Sequence, residues 1–479
     1  MKRRQFIKTS SIGLGGFAFL QSNFGQLFHH PENVFISKCP PLNKRTFISE
    51  AVEKQIATIK QVIKDKEIAW LFDNCYPNTL DTTVDFEIID GKPDTFIITG
   101  DIDAMWLRDS TAQVWPYMPL LKEEKKLQNM VAGLINRQVK CVLLDPYANA
   151  FYKDLQKVSD WNEDIPRPIP GVHERKWEID SLCYVIRLSY QYYQLTKETA
   201  VFDADWDKAM RLIVKTFRTE QGKTEKSAYQ FIRKTSNMID APVFNGTGYP
   251  TKYTGLISSA FRPSDDATMY PQLIPSNIFA AKSLNQLAYI YKYVIKDNRF
   301  AQTCSEFAAE INTAIQAYAV QPHLHFGKIY AYEVDGFGNK VFMDDANVPS
   351  LLSLPYLDSR FTNDPIYQNT RTFLLSENNP YYLKGKAADG QASPHTGKER
   401  IWPMGIILRA MTSTSPKEIK HCLQLLKTTH ANTGFMHEAF HKDNPNDFTR
   451  SWFAWANTLF GELIVKIYHE HKAILAETN

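Results

Sequence analysis

One short stretch, residues 99–110, concentrates carboxylates among apolar side chains in a way that suits ligand chemistry. It contains Asp101, Asp103 and Asp109, together with Arg108 and an intervening Met-Trp-Leu run. A plain hydrophobic core would not accept so many carboxylates without partners, because burying an unpaired charge is costly. The stretch therefore indicates either a lined pocket for a polar ligand such as a sugar, or a buried ion-pair network around Arg108.

Similar clusters of polar and aromatic residues recur in later connections between helices. They stand at residues 177–180, 261–266, 344–347, 393–397, 402, 434–438 and 450. Loops carry chemistry more often than the elements that they connect. If these connections converge at one end of the fold, they would form a single site.

Two of these clusters offer the pair of carboxyl groups that glycosidic hydrolysis requires. One carboxyl must hold a proton near neutral pH while the other stays ionised. Asp265 stands beside Asp266, and a neighbouring negative charge disfavours ionisation, so one of the two could hold the proton. Glu438, between a histidine and an alanine, is a candidate partner. A helix cap or a salt bridge remains the simpler interpretation of either carboxylate taken alone.

A zinc hydrolase is a competing interpretation of the second cluster. Residues 437–441 fit the pattern His-Glu-x-x-His, with His437 and His441 as ligands and Glu462 as a possible third. The two histidines would have to share one face of a continuous helix. Gly434 precedes them and a proline-containing polar run follows at once, so this context argues against zinc.

A further alternative is a non-catalytic glycan-binding protein, since aromatic residues with Asp, Asn and Arg also form such sites. Other partners have less support. The chain has 479 residues, 22% of them charged, and a formal net charge of +3, which gives no reason to expect nucleic acid or an anionic membrane. The six cysteines are scattered and are expected to be small buried residues rather than a disulfide framework.

The N-terminus resembles an export signal. Lys2, Arg3 and Arg4 are followed by an apolar run over residues 12–20, which is too short to span a bilayer. The Arg-Arg-x-Phe-Ile-Lys pattern is similar to a twin-arginine signal. We therefore expect residues 1–30 to direct export, with a periplasmic location, and leave cleavage open.

Helical periodicity dominates the remainder. Apolar stripes predict about a dozen helices, among them residues 106–118, 123–141, 177–193 and 451–473, and Ser415-Pro416 starts another. Strand signals are local, at residues 84–89, 95–99 and 329–341. This pattern predicts one all-α domain over residues 31–479, an (α/α)6 barrel of six helical hairpins with a few short β-hairpins in its loops. An open helical array is the competing architecture.

Several segments, in order, carry a resemblance to a known family. They are Thr99-Gly-Asp-Ile-Asp-Ala-Met-Trp-Leu-Arg-Asp-Ser110, Trp177-Glu-Ile-Asp-Ser-Leu-Cys183, Phe261-Arg-Pro-Ser-Asp-Asp266, Ile274-Pro-Ser-Asn277, Met343-Asp-Asp-Ala-Asn-Val-Pro-Ser350, Ser393-Pro-His-Thr-Gly397, Ile401-Trp-Pro-Met404, Asn432-Thr-Gly-Phe-Met-His-Glu438 and Phe448-Thr-Arg-Ser-Trp-Phe-Ala-Trp-Ala-Asn457. From about residue 45 onward the chain resembles the exo-α-1,6-mannosidases of glycoside hydrolase family 125. The resemblance implies an (α/α)6 barrel, no metal or cofactor, and inverting removal of terminal α-1,6-linked mannose from a mannose-containing glycan. It places the general acid at Asp265 and the general base at Glu438. A monomer is favoured, and the oligomeric state is left open.

The same resemblance suggests binding roles by position in the motifs. His437 or Arg450 would hold Glu438, and Asp266 would position Asp265. Sugar hydroxyls and faces would be contacted by Asp101, Trp106, Arg108, Asp109, Trp177, Arg262, Asp345, Asn347, His395 and Trp402.

Overall fold

Several helices begin where the sequence supplies a capping side chain. The computed structural model describes residues 35–224 and 227–477. Ser49, Asp65, Asp203 and Ser415 each accept a hydrogen bond from a backbone N–H in the first turn of the helix that follows. Such caps satisfy donors that the helix itself leaves unpaired. Local sequence therefore sets several of the helix starts.

The α-helices follow one another through the whole described chain. They are α1 Glu50–Lys60, α2 Lys66–Cys75, α3 Asn78–Thr82, α4 Leu107–Val114, α5 Lys125–Leu144, α6 Ile179–Thr196, α7 Ala204–Gln221, α8 Val243–Gly246, α9 Ile274–Ile290, α10 Asn298–Ala314, α11 Leu354–Leu357, α12 Pro365–Leu374, α13 Pro403–Met411, α14 Pro416–Thr429, α15 Ala454–Glu470 and α16 Lys472–Ala476.

The strands are short and lie in the connections between helices. They are β1 Val84–Ile89, β2 Lys92–Ile97, β3 Met105–Trp106, β4 Ala150–Phe151, β5 Val172–Glu174, β6 Gln272–Leu273, β7 Val320–His323, β8 Gly327–Tyr330, β9 Glu333–Val334, β10 Lys340–Val341, β11 Tyr382–Lys384, β12 Asp389–Gln391, β13 Arg400–Ile401, β14 Ala439–His441 and β15 Asn444–Thr449. They form antiparallel sheets of two or three strands, such as β3-β4-β5 and β13-β14-β15. These small sheets bring loops from distant parts of the chain side by side.

Helices that are near in sequence also pack together, and the last long helix returns to the first part of the chain. Helix α4 contacts α5 and α6, α6 contacts α9, and α13 contacts α14 and α15. Helix α15 packs against both α4 and α2. The residues from Ile36 on form one compact unit with a continuous apolar core. The two ends of that unit are therefore neighbours.

The mostly helical prediction is confirmed, and the boundaries differ for physical reasons. The predicted helix over residues 106–118 is α4 followed by a 3₁₀ segment, Trp115–Lys122, which contains Pro116 and Pro119. Proline lacks an N–H and breaks regular α-helical hydrogen bonding. The last long helix, α15, begins at Ala454 rather than at residue 451. The strand predicted over residues 329–341 is divided among β8, β9 and β10.

Two other predictions concern the whole chain. The export signal predicted for residues 1–30 lies outside the described residues. Among the described helices, none is both long enough and apolar enough to cross a bilayer. Cys75, Cys141, Cys183, Cys304 and Cys422 are buried free thiols, as expected.

Candidate active site

Asp265 lies in a tight turn with an unusual backbone. Its φ is 67°, in the left-handed region, where aspartate is tolerated better than most residues. Its N–H donates to the Arg262 carbonyl at 2.9 Å, and the Arg262 N–H donates to the Asp266 carbonyl at 2.8 Å. The Asp265 carboxylate is 24% exposed and accepts from Arg108 Nη2 at 3.2 Å. Asn149 Nδ2 lies 3.4 Å from the same oxygen.

Arg108, at the start of α4, gathers carboxyl groups around one buried guanidinium. Its Nη1 donates to Glu178 at 2.5 Å and to Asp180 at 3.1 Å, and its Nε lies 3.5 Å from Asp109. Burial raises the pKa of Asp109 to about 6, although the charge of Arg108 opposes the shift. Burial likewise raises the pKa of Glu178 and of Asp180. The first stretch is therefore both an ion-pair network and part of the site.

Glu178 and Asp180 were not among the predicted site residues. The signal was present, because both carboxylates stand in the polar and aromatic cluster at residues 177–180. A carboxylate at the start of a helix is, however, common as a favourable partner of the helix dipole, so its type and position alone carry little information.

The β14-β15 hairpin positions Glu438. Ala439 pairs with Thr449, which places Thr449 and Arg450 next to the Glu438 side chain. Thr449 Oγ1 donates to Glu438 Oε2 at 3.0 Å, and Arg450 Nη1 lies 3.4 Å from Oε1. Arg450 also pairs with Asp101, with Nη2 2.5 Å and Nε 2.9 Å from Oδ1. Arg450 thereby joins Glu438 to the first polar stretch.

A second polar group borders both carboxylates. His395 Nδ1 lies 2.9 Å from Asp266 Oδ1. Burial disfavours the charged imidazole, but the carboxylate of Asp266 outweighs it and raises the pKa of His395 to about 9. The charges of Glu438 and Asp265 both act on this imidazole in the same direction. Asp265 is linked to residues 99–110 through Arg108, and Glu438 is linked to the same stretch through Arg450 and Asp101.

Asp345 is buried and contacts the turn that carries Asp265. Ser264 Oγ donates to Asp345 Oδ2 at 2.6 Å. Burial raises the pKa of Asp345, and the nearby charge of Asp266 adds to the shift. Asn347 is buried in the same segment.

Several buried polar atoms of the site residues have no hydrogen-bond partner within the part of the chain that the structure describes. They include Trp106 Nε1, Asp266 Oδ2 and Asp345 Oδ1, which are on predicted sugar-binding or positioning residues. Buried polar atoms in folded proteins are nearly always paired, with protein, water or ligand. One donor and two acceptors are thus available to a polar ligand.

The structure corrects the stacking roles suggested for two tryptophans. Trp177 is 1% exposed, packs against Tyr147 and Phe217, and donates its indole N–H to the Ser258 carbonyl at 2.8 Å. Trp402 is 2% exposed and donates to Thr396 at 2.7 Å. Neither ring offers an open face, because each is almost completely covered by its neighbours.

Arg262 and His437 also have other partners than expected. Arg262 Nε is paired with Glu333 at 2.6 Å. His437 stacks on Phe448 with ring centroids 3.7 Å apart, and its Nε2 lies 3.3 Å from the His430 carbonyl. Burial lowers the pKa of His437 to about 4, so this ring is neutral near pH 7. The contacts that hold Glu438 come from Arg450 and Thr449 instead.

The arrangement required for zinc is not formed. Residues Ala439–His441 are a strand rather than a helix, and Glu462 accepts from the Tyr356 hydroxyl at 2.9 Å in α15. Among the described residues one group has metal-ligand spacing, Glu399, His441 and Asp443. Lys442 pairs with both of its carboxylates, and neither His437 nor Glu438 belongs to it.

Comparison with known proteins identifies a family and a relative. Residues 65–465 match the family described as metal-independent α-mannosidase, glycoside hydrolase family 125. The "Meiotically up-regulated gene 157 protein" of Schizosaccharomyces pombe is 40% identical over 458 residues, covering 92% of this chain and 90% of the relative.

Solved structures extend the comparison. A Streptococcus pneumoniae protein, described as a metal-independent α-mannosidase in a non-productive complex with α-1,6-mannobiose, is 39% identical. The match has a TM-score of 0.84 and covers 89% of this chain and 100% of that one. A family 78 rhamnosidase of Bacillus sp. GL1, 10% identical with a TM-score of 0.51 over 85% of this chain and 35% of its own, shares the fold alone. The chain belongs to glycoside hydrolase family 125, the metal-independent α-mannosidases.

Proposed function

We propose that this α-mannosidase is an inverting, exo-acting enzyme that releases terminal α-1,6-linked mannose from glycans. The observation that carries the proposal is that two carboxylates from distant segments are both linked to the stretch of residues 99–110, Asp265 through Arg108 and Glu438 through Arg450, which pairs with Asp101. The two carboxylates have different partners. Asp265 pairs with Arg108, and Glu438 accepts from Thr449 and pairs with Arg450. The α-1,6-mannobiose named for the Streptococcus pneumoniae relative supports the linkage.

The two carboxyls divide the chemistry. Asp265 gives a proton to the glycosidic oxygen as the bond to the anomeric carbon breaks. Glu438 takes a proton from a water that attacks that carbon from the opposite face, so an α-linked substrate yields β-mannose. Inverting enzymes hold their two carboxyls roughly 6.5–9.5 Å apart to admit this water. Thr449 and Arg450 fix the two Glu438 oxygens and leave the remaining lone pairs for the water.

The neighbouring polar atoms suit a bound mannose. Asp266 Oδ2 and Asp345 Oδ1 are free to accept from sugar hydroxyls, and Trp106 Nε1 is free to donate. Cationic His395, together with Arg108, stabilises negative charge that develops at the leaving oxygen or at Asp265. Asp101, Asp109 and Asn347 complete the polar lining. Action on a terminal sugar implies a pocket closed at one end.

We further propose that the helices form an (α/α)6 barrel. The inner and outer partners would be α4 with α5, α6 with α7, α9 with α10, α11 with α12, α13 with α14, and α15 with α1 and α2. The contacts of α4 with α6, of α6 with α9, and of α15 with both α13 and α4 support a ring. In a closed ring the loops that carry Asp265 and Glu438 would open at the same end.

Export remains a separate proposal, resting on the N-terminal sequence. Residues 1–30 would carry the protein through the twin-arginine route to the periplasm. Replacing Arg3 and Arg4 by lysine should retain the enzyme in the cytoplasmic fraction of a bacterial host. Unchanged fractionation of that variant would contradict the proposal.

Substitution of the two carboxylates tests the proposed function. Asp265→Asn and Glu438→Gln should each lower kcat on α-1,6-mannobiose by about a hundredfold or more, because acid–base groups contribute that much. Asp103→Asn and Glu399→Gln are matched controls, since both residues are exposed and Asp103 pairs with Lys157 and Glu399 with Lys442. Near-normal turnover of Asp265→Asn or Glu438→Gln would remove that residue from the mechanism. Binding of the disaccharide by the wild type without release of mannose would favour the glycan-binding alternative.

A further inference from the structure

Glu178 is a buried carboxyl that shares the Arg108 guanidinium with the proposed general acid. Its Oε2 accepts from Arg108 at 2.5 Å and from Ser181 Oγ at 2.9 Å. Its Oε1 is buried and receives no hydrogen bond from an N–H or hydroxyl donor of the described residues. Glu178 Oε2 lies 2.5 Å from Arg108 Nη1 and Asp265 Oδ1 lies 3.2 Å from Nη2, so the two carboxyls are neighbours on one guanidinium. An ionised carboxylate can only accept, so a direct hydrogen bond between these neighbours requires a proton between them.

The charges around the pair favour keeping that proton. Four carboxyls, those of Asp109, Glu178, Asp180 and Asp265, surround the single guanidinium of Arg108. Two other charged groups, Lys176 and His395, face the pair from the Asp265 side. Lys176 donates to the Asp265 carbonyl at 2.7 Å. Lys176 is also shared with Asp240 and Glu174. Burying the excess negative charge is costly, and binding a proton removes part of it.

Burial raises the pKa of Glu178 well above its usual value, the charge of Arg108 opposes the shift, and Asp265 adds to it. Carboxyl pairs of this kind titrate as a unit, so the proton belongs to the pair rather than to one residue.

We propose that Glu178 and Asp265 share one proton, and that Glu178 is a positioning residue that keeps this proton available to the general acid. The proposal rests on the proposed role of Asp265. In the free enzyme the proton bridges the two carboxyls. With a glycosidic oxygen bound, it occupies Asp265 and Glu178 is ionised against Arg108. Transfer to the leaving oxygen empties the pair, which takes one proton from solvent before the next turnover.

The substitution Glu178→Gln tests the shared proton, because the amide keeps the shape and a hydrogen-bond donor but cannot ionise. In Glu178→Gln, the amide always donates a hydrogen bond to Asp265, and the negative charge of Glu178 is gone. Both changes favour the ionised form of Asp265. The basic limb of the kcat/KM profile should therefore move to lower pH by about one unit or more, with activity largely recovered at acidic pH. A purely structural role would lower the rate at every pH and leave the limb in place, and that result would overturn the proposal.

Asp180→Asn is the matched control. It removes one carboxylate from the same guanidinium but does not bridge to Asp265, so its limb should move less. An equal shift would mean that only net charge matters and would contradict a bridging proton.

A second measurement does not depend on turnover. Near neutral pH, the infrared difference between wild type and Glu178→Gln should show a protonated carboxyl band that is present only in the wild type. Absence of that band would overturn the shared proton even if Asp265 is the acid. Full activity of Asp265→Asn would instead overturn the proposed function, so the two failures are distinguishable.

Discussion

Arg450 contacts Glu438 from the left-handed backbone region, with Nη1 3.4 Å from Oε1 and a φ of 40°. A non-glycine residue in that region is held there by its surroundings. The same guanidinium is fastened to Asp101 by two shorter contacts. Glu438 therefore depends on a side chain that is fixed by the opposite end of the chain.

Replacing this arginine should impair catalysis more than stability. Arg450→Gln removes the charge beside Glu438, so the carboxylate loses its orientation and we expect kcat to fall by about ten- to a hundredfold. Steady-state kinetics on α-1,6-mannobiose and a melting curve measure the two effects. Asp101→Asn weakens the ion pair that holds Arg450 but keeps the contact of Arg450 with Glu438, so we expect a smaller loss of kcat. A larger loss in Asp101→Asn than in Arg450→Gln would contradict this role of Arg450.

The His395–Asp266 pair predicts a pH dependence of stability at high pH. The folded pKa of His395 is about 9, above its ordinary value of 6.5. The stabilisation is therefore complete below about pH 6.5 and is lost as pH rises through about 9. The difference in Tm between wild type and Asp266→Asn should shrink across that interval. NMR titration should show a cationic imidazole at pH 7 in the wild type; a neutral ring at that pH would contradict the pairing.

Gly100 permits the close approach of its own segment to the backbone at Trp452. Its φ is 125°, and a Cβ atom there would lie 2.4 Å from the Trp452 carbonyl oxygen. Gly100→Ala should lower the free energy of unfolding by about 3 kcal/mol or more and should reduce activity through Asp101. Gly338→Ala is the matched control, with a φ of 110° but no atom within 4 Å of the added Cβ. Its cost should be about 1 kcal/mol, as for backbone strain alone. Equal losses measured by denaturant unfolding would contradict the steric account.

Metal removal should leave activity unchanged. His441 lies on a strand beside Lys442, away from the contacts that hold Glu438, so His441→Ala should retain kcat within about twofold. Assay after exhaustive chelation is the direct measurement. If chelation abolishes activity and added zinc restores it, the result would contradict this prediction and support the interpretation of His-Glu-x-x-His as a zinc site.

Much of the helical pattern was predictable from the sequence, because apolar periodicity and caps are local properties. The cap at Ser415 and the stripe that includes Val52, Ile56 and Ile59 in α1 are examples. The helix boundary near Pro116 was not predictable, because the 3₁₀ continuation depends on packing as well as on the prolines.

The site was predictable only in part. The motif match named Asp265, Glu438 and Arg450, but which partner each side chain takes depends on tertiary contacts. Arg262 faces Glu333, and Trp177 faces the core, although both stand in motifs beside proposed site residues. Glu178 was passed over because a carboxylate before a helix is unremarkable until Arg108 and Asp265 are placed against it.

The stereochemistry of the first product tests the central claim most directly. Proton NMR during the first turnovers of α-1,6-mannobiose follows the anomeric signals before mutarotation mixes them. An inverting pair at Asp265 and Glu438 predicts that β-mannose appears first. If α-mannose appears first, or if no mannose is released, the proposed roles of Asp265 and Glu438 are wrong.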